Sequence, residues 1–560
     1  MKYKEYDVDL CVVGGGLSGL TAAIAAARHG ARVVLMQDRP VLGGNASGEI
    51  RMWICGAHGR DNRETGILEE IVLENFYQNP ALKFPLWDGV LHQFAKAEKN
   101  LILLLNTSCL HADCEGRRIL SVTGWQSNAE TYHTVRARYF ADCSGDSILS
   151  PLTGASARMG RESKAEFGET IPPDVADGKT MGMSCLFQIR ECDHPVPYVA
   201  PPSAYVYPTD ADLPFKDHEL TNNFWWIELG GDGDALHDVD ECRDELLRIC
   251  YGVWDHIKNR GDHGADNWEM EWIGFLPGKR ESRRYVGLTT VTQNDVEAGG
   301  KYPDVVAYAG WTMDDHFPEG FRYRDGHPTI YHPAPSPWGI PFRALVSRDR
   351  DNLLFAGRNI SVTHAALSSC RVMGTCALLG QAVGTAAAQM VKDGTTPTTL
   401  DISLLQETLM EDDCMLPGLS RRAAVTGEYS HPLLGNGLDR GDENVTEAPL
   451  CTPLTLTFRE PTPIVGVRLV FDSNLNRKGQ NMPCRWPLSG PEIGLPDTLV
   501  RAFDLIVTDK NGEEHVLSVE DNRKRLCRVG WQGEAAKITL VPRATHGAPM
   551  ARVFSLEAMV

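Results

Sequence analysis

Val12-Val13-Gly14-Gly15-Gly16-Leu17-Ser18-Gly19 (VVGGGLSG) decides how the N-terminal part of this chain folds. Gly14, Gly16 and Gly19 stand at G-x-G-x-x-G spacing, directly after the apolar run Asp9–Val13 and at the mouth of the alanine-rich segment Leu17–His29. In a strand–turn–helix unit the first glycine makes the tight turn. The second lets backbone approach a pyrophosphate, and the third lets helix and strand pack closely. The helix N-terminus then offers unpaired N–H groups to the phosphates. Asp9–Val13 therefore reads as a buried parallel strand, Leu17–His29 as a helix stopped by Gly30, and Arg32–Met36 as the second strand. An acidic residue normally ends that second strand and holds ribose hydroxyls. Here the strand runs into Gln37-Asp38-Arg39, and the spacing to Gly43-Gly44 puts Gln37 in the acidic place with Asp38 one step outward.

The chain has 560 residues, 42% of them hydrophobic and 23% charged, the composition of a globular protein of several domains. A formal net charge of -19 argues against nucleic acid or an anionic membrane as partner. No apolar run reaches the ~18 residues of a membrane span. Residues 1–8 are polar and lead straight into the first strand without a signal peptide, so a cytoplasmic location is expected. The 15 cysteines are odd in number and form no C-x-x-C pair. They suggest neither a dithiol nor a zinc site, and no metal is expected.

Residues 1–180 alternate strand and helix patterns and read as the first part of the nucleotide-binding domain. Residues 181–340, rich in Trp, Tyr, Asp and Pro, read mainly as a substrate domain inserted into it. Residues 341–400 close the nucleotide domain with a buried strand at Leu353–Ala356, then Gly357, then a long helix around Val372–Met390. A helical connector and loop follow at 401–447. Residues 448–560 hold short candidate strands at Leu454–Phe458, Val465–Phe471, Arg501–Thr508, Val516–Glu520, Lys537–Val541 and Val553–Ala558, with Asn511-Gly512 as a hairpin turn. The expected fold class is α/β: a Rossmann-like nucleotide domain, an inserted α+β substrate domain and a C-terminal all-β sandwich module.

Four further segments bear on the cofactor. Leu42–Arg51 reads LGGNASGEIR, Ala141–Asp146 reads ADCSGD, Pro277–Arg284 reads PGKRESRR and Ala356–Ala366 reads AGRNISVTHAA. Over residues 6–400 this set resembles the FAD-dependent oxidoreductases of the glutathione-reductase-like FAD fold. More distantly it is similar to the flavoprotein subunits of fumarate reductase and succinate dehydrogenase. The resemblance implies FAD, held by Gly14, Gly16, Ser18, Gly19, Gln37, Asp38, Arg39, Gly43, Gly44, Asn45, Ser47, Arg51, Ser144, Gly145, Gly357, Arg358, Arg371 and Thr375. If the long helix after Gly357 points its N-terminus at the flavin, its partial positive charge favours the anion that develops on reduction, and Arg371 in its loop or first turn adds to this. A second glycine fingerprint for NAD(P)H is absent after residue 150. Cys109 and Cys114 have C-x-x-x-x-C spacing but lie far from Gly44. A pyridine-nucleotide disulfide reductase is therefore not indicated, and the electron acceptor stays open.

Oxidation of an alcohol at a flavin needs a base, for which histidine suits neutral pH. His364 is the first candidate. His316 is the second, beside Asp314 and Asp315 that could orient it, and His58 is the third, in a turn with Cys55. Arg51, Arg280, Arg283 and Arg284 offer the planar fork that pairs a carboxylate, with Arg283 the favoured one and Glu281 its neighbours' internal partner. A solvated charge run is the other reading of Lys279–Arg284. Cys55 and His58 are chemically able to attach a flavin covalently, although the residues around them do not resemble the histidine attachment segment of the fumarate-reductase relatives. Trp225, Trp226, Trp311 and Trp338 could stack on sugar rings or serve as core. The expected function is oxidation of a small polar metabolite, a sugar or other alcohol, by hydride transfer to flavin N5. The alternatives are an ene-reductase or desaturase of a carboxylate, and a non-redox flavoprotein whose β module engages a glycan. The β module would also suit packing or contact within a homo-oligomer.

Overall fold

The computed structural model describes residues 1–424, 426–478, 482 and 492–560. Within the expected module 448–560, positions 479–481 and 483–491 lie outside the described residues. The described chain forms two compact units, one of residues 1–58 and 81–401, the other of residues 59–80, 402–478 and 492–560.

The first unit is built on a seven-stranded sheet. Strands β1 (Lys2–Val13), β2 (Val33–Met36) and β3 (Leu101–Leu104) run parallel, and β1 also pairs in parallel with β6 (Thr131–Asp142). Strands β4 (Thr107–Glu115) and β5 (Arg118–Gln126) extend the sheet antiparallel beyond β6. The free half of the β6 edge, Phe140–Asp142, takes the late strand Leu353–Phe355 in parallel. The sequence reading began the first strand at Asp9. The structure begins it at Lys2, because the exposed residues Lys2–Asp7 pair with Thr131–Arg136, where no apolar signal is needed.

Helix α1 (Leu17–Arg28) covers the parallel strands, and the helix Met373–Asp393 crosses it at backbone contact. A Cβ on Gly380 would lie 1.9 Å from the Ser18 carbonyl oxygen, and one on Gly384 would lie 2.1 Å from that of Ala22. The Thr21 hydroxyl donates to the Ala377 carbonyl at 2.7 Å across the same seam. The alanine and glycine content of both helices thus records close packing, not merely helix propensity. Residues 181–340 form short antiparallel ribbons and the helix Val239–Asp255 around a core that includes Phe187, Phe224, Trp226 and Trp254.

The second unit is a seven-stranded antiparallel sheet with the helices Ile67–Gln78 and Ile402–Glu411. Asn511-Gly512 turns between Val500–Asp509 and Glu514–Val519, as expected of a hairpin. Leu454–Phe458 and Val465–Phe471, expected as separate strands, are one strand, Leu454–Phe471. Pro461 and Pro463 break the apolar pattern between them, but the chain absorbs them at a register shift rather than a turn. Likewise Lys537–Val541 is the middle of the long strand Leu526–Thr545. Residues 59–80 group here because Glu69 is held by Arg477 at 2.6 Å and Ser473 at 2.6 Å. Among the described residues, no helix is long and apolar enough to cross a membrane.

Candidate active site

A cavity of about 700 Å³ runs through the first unit from the glycine turn to a chamber walled by Trp225, Trp311 and Tyr331. At the turn, Gly14 has φ +103° and carries the chain under the loop after β6, so that a Cβ would sit 2.5 Å from Cys143 backbone. Gly19 is tighter still, since its Cβ would lie 1.8 Å from the Gly14 carbonyl oxygen. Gly16 differs. It is the N-cap of α1, has no side-chain cap, and a Cβ there would meet only Gly44 Cα at 3.9 Å. The space above Gly16 and the uncapped first-turn N–H groups form a cradle that fits a diphosphate.

Gln37 explains its departure from the acidic pattern. Its Oε1 accepts from Gly15 N at 2.6 Å and its Nε2 donates to the Val41 carbonyl at 3.2 Å, so the amide ties the turn to the second strand's exit. A carboxylate could not make the second bond. Asp38 is exposed beside Arg39, which reaches Glu49 at 3.3 Å. The loop after β6 is fixed by buried Asp142, which accepts from Ser144 N and Oγ, Leu149 N and the Tyr285 hydroxyl. That loop presents Ser144, Gly145 and Asp146 to the cavity. Asp146 is held by Arg358 at 2.6 Å, Ser282 at 2.7 Å and Lys279 at 3.0 Å. Burial would raise its pKa, but the two cations outweigh it and hold the carboxyl at about 2.

Of the residues implied as cofactor contacts, Gly14, Gly16, Ser18, Gln37, Asp38, Arg39, Gly43, Gly44, Asn45, Ser144, Gly145, Gly357, Arg358 and Arg371 line this cavity. Gly19, Ser47, Arg51 and Thr375 stand outside its wall. Arg51 has φ 60°, bonds Gln188 Oε1 at 2.6 Å and lies over the Trp272 ring at 4.3 Å. The cavity also touches Thr107–Leu110 at the β4 start, which no motif announced.

The run Lys279–Arg284 is no solvated stretch. Lys279 and Ser282 brace Asp146, and Arg283 is diverted to the Asp146 carbonyl at 3.1 Å, away from the cavity. Lys279 and Arg280 both line the cavity, and Arg280 lies on the Trp225 side. It donates to Ser184 Oγ and the Trp225 carbonyl, both at 2.9 Å, and lies 3.5 Å from Glu228. Glu281 and Arg284 turn the other way, into a fully buried ionic cluster with Glu162 and His364.

His364 sits in that cluster and does not line the cavity. Its Nδ1 is 2.8 Å from Glu281 and its Nε2 is 3.7 Å from Asp315. Burial pushes its pKa down, but the two carboxylates outweigh this and raise it to about 9. The ring is therefore an imidazolium at neutral pH, with no lone pair to accept a proton. Its unfolded pKa is near ~6.5, so its stabilising contribution is fully present below that and is lost as pH rises through about 9. His364→Ala should destabilise the fold by about 3 kcal/mol near neutrality, because buried Glu281 loses its nearest cation and keeps Arg284 at 3.4 Å as its remaining one. The gap in unfolding midpoint between wild type and variant should shrink above pH 9; a gap that widens would contradict the imidazolium assignment.

His316 lines the chamber. Its Nε2 lies 3.0 Å from Arg371 Nη2, and its Nδ1 lies 2.7 Å from Glu228 Oε2. A guanidinium only donates, so Nε2 is the acceptor and Nδ1 carries the proton given to Glu228. Burial lowers the His316 pKa, partly countered by Glu228, so the neutral tautomer is the resting form. Glu228, rather than Asp314 or Asp315, orients this ring. Asp314 is engaged by Trp311 Nε1 and Thr312, each at 2.6 Å. Burial would raise the Glu228 pKa, but Arg280 and His316 hold it at about 2. No motif marked Glu228, although a lone carboxylate inside the apolar run Trp225–Leu229 is the signature of a buried, paired charge. Cys55 lines the cavity, whereas His58 packs on Trp311 with ring centroids 4.2 Å apart and does not.

A family model described as FAD dependent oxidoreductase matches residues 9–409. No protein of curated function matches the chain in sequence. Among solved structures, a geranylgeranyl bacteriochlorophyll reductase-like protein from Thermoplasma acidophilum is 13% identical with TM-score 0.32, over 73% of this chain and 85% of its own. The OxyS anhydrotetracycline hydroxylase from Streptomyces rimosus is 11% identical with TM-score 0.33, over 72% of this chain and 66% of its own. L-proline dehydrogenase from P. horikoshii is 13% identical with TM-score 0.26, over 73% and 60%.

Proposed function

Because the chain belongs to the FAD-dependent oxidoreductase family and its cofactor is FAD, we propose that it oxidises a small hydroxylated metabolite, a sugar or other alcohol, in the chamber beyond the glycine turn. Bound FAD supplies the two-electron acceptor. The glycine turn and the first turn of α1 take the diphosphate, and Asp146 with its cations shapes the wall beside it. His316 is the base. Its Nε2 accepts the hydroxyl proton, and Glu228 stabilises the imidazolium that results. Arg371, which holds Nε2 in the resting form, turns its donor to the substrate oxygen as that oxygen approaches. The planar faces of Trp225 and Trp311 and the polar groups of Asp314, Thr329 and Tyr331 suit a ring bearing hydroxyls. The observation that carries this reading is the Glu228–His316–Arg371 chain, with a neutral histidine ending at the cavity wall.

A second reading rests on Arg280 and Arg371, two guanidiniums lining one chamber, which would clamp a carboxylate for reduction or desaturation. Anaerobic mixing separates the two. Bleaching of the flavin band by a panel of sugars and polyols is expected. Failure of every alcohol, together with reoxidation of chemically reduced flavin by an enoate, would favour the carboxylate.

The pH profile follows from the neutral base. The rate constant for flavin reduction at low substrate should fall tenfold per pH unit on an acid limb below about 6.5, because burial lowers the His316 pKa. Glu228→Gln keeps an acceptor for Nδ1–H but removes the charge that favours the imidazolium. It should move the limb to lower pH and cut the plateau by roughly 10²-fold. An acid limb that moves upward, or stays in place with full activity, would remove Glu228 from the proposal.

A further inference from the structure

Apart from the cavity, one cluster in the first unit converges four potential ligand atoms. Asp210 opens a short turn capped by Thr209, whose backbone N–H donates to Asp212 at 2.8 Å. His218 lies in the loop that follows. His256 begins the π-turn His256–Arg260 that ends the helix Val239–Asp255, and the Gly261 N–H closes that turn on the His256 carbonyl at 2.8 Å. His263 comes just after it. None of the four lines the cavity.

We infer that Asp210 Oδ1 and the Nε2 atoms of His218, His256 and His263 form a structural site for a tetrahedral divalent transition metal, Zn²⁺. The first support is size. Asp210 Oδ1 lies 3.0, 3.5 and 3.6 Å from the Nε2 atoms of His256, His218 and His263, and His263 Nε2 approaches His256 Nε2 at 3.2 Å. A tetrahedron of ligands about 2.0–2.1 Å from zinc has edges of about 3.3–3.4 Å. The second is symmetry. The three imidazole centroids are 5.0, 5.0 and 5.1 Å apart, with planes inclined by 70°, 76° and 66°. Three rings thus point their tips at one spot from three sides.

The third support is proton placement. His256 Nδ1 is 2.8 Å from the Tyr207 carbonyl and His218 Nδ1 is 2.6 Å from that of Lys216. A carbonyl only accepts, so both rings are protonated at Nδ1 and, when neutral, turn the Nε2 lone pair inward. This is how metal-binding histidines are oriented by their surroundings. For His256 that lone pair faces a carboxylate oxygen at 3.0 Å and another ring nitrogen at 3.2 Å, an arrangement that a central cation turns from repulsive to attractive. Imidazole and carboxylate are suitable zinc donors, and four protein ligands leave no open position. The His256 side chain is fully buried while Asp210 remains 73% exposed, so the carboxylate closes the solvent side. The metal would clasp the 209–218 loop to the end of the helix Val239–Asp255. Lacking paired cysteines, the sequence points to no metal; these ligands come from a helical turn, loops and the π-turn at a helix end that only the fold assembles.

Full-length, FAD-loaded protein exposed to zinc alone and then desalted should retain one zinc per chain by elemental analysis. Its zinc absorption edge should show nitrogen or oxygen neighbours at about 2.0–2.1 Å with the outer scattering of imidazole. His218→Ala and His263→Ala should each weaken zinc binding by more than about 100-fold while flavin content is unchanged. Wild-type protein that keeps no stoichiometric zinc, an absorption edge without histidine, or folded variants that bind zinc as tightly as wild type would each overturn the site. The edge measurement needs only wild-type protein, so it decides the matter if a variant does not fold.

Discussion

Gly16→Val should give a folded protein that has lost its yellow colour, whereas Gly19→Ala should give little folded protein at all. The two glycines belong to one motif yet meet different obstacles. A Cβ on Gly19 would lie 1.8 Å from the Gly14 carbonyl oxygen and 3.1 Å from Cys143 Cβ. Backbone cannot retreat there without pulling α1 off β1, and the cost is about 3 kcal/mol or more. A Cβ on Gly16 meets nothing nearer than 3.9 Å, and the residue has φ -62°, which valine adopts without strain. Its fold penalty is about 1 kcal/mol, the loss of a favoured helix cap. The added methyls would instead occupy the space above the α1 N-terminus, where the diphosphate needs backbone contact. A loss of at least 10²-fold in FAD affinity, about 2.7 kcal/mol, is expected. Flavin absorbance per chain and urea unfolding of the same samples read the two effects separately. A Gly16→Val protein that retains stoichiometric FAD would falsify the placement of the diphosphate.

His316→Ala should retain FAD and fold, but substrate should reduce the flavin about 10²–10⁴ times more slowly. The ring makes two polar contacts, with Glu228 and Arg371, and its removal leaves Glu228 still paired with Arg280 at 3.5 Å. The structural penalty is smaller than at His364, because the His316 ring is neutral and its loss removes no charge, whereas at His364 a buried cation is lost from beside Glu281 and Asp315. The two alanine variants should behave as opposites, one slow and stable, the other unstable but, while folded, able to reduce its flavin. Single-turnover reduction beside thermal unfolding makes the comparison. If His364→Ala proves the slow one and His316→Ala keeps its rate, the base has been misassigned.

Local pattern accounts for the parts of the fold that the sequence made readable. The strand–turn–helix unit at Val12–Gly19 is legible because steric demands on three glycines are met within one short stretch. The run Lys279–Arg284 stands out as a motif, but its side chains go to separate places: Asp146, the chamber and a buried ionic cluster. Only the fold reveals that Arg280 reaches the chamber while Arg283 is spent on a carbonyl. His364 drew attention by following the Gly357 loop. Its chemistry was hidden because Glu281 and Asp315 arrive from distant segments and turn a candidate base into a fixed cation. Glu228 escaped for the converse reason, since nothing near it in sequence says that Arg280 and His316 will surround it. In the second unit, prolines that normally punctuate strands were absorbed at a register shift.

The edge of β6 at Phe140–Asp142 is completed by Leu353–Phe355, and this fixes an order of assembly during synthesis. Once β6 has emerged from the ribosome, that edge exposes unsatisfied backbone, and it stays open until Leu353–Phe355 has been translated. Gly357, Arg358 and Arg371 arrive later still. A nascent N-terminal piece can form its parallel strands but not a closed container, so prosthetic-group capture is a late event. Chains truncated before residue 353 are left with an open strand prone to pairing with other molecules.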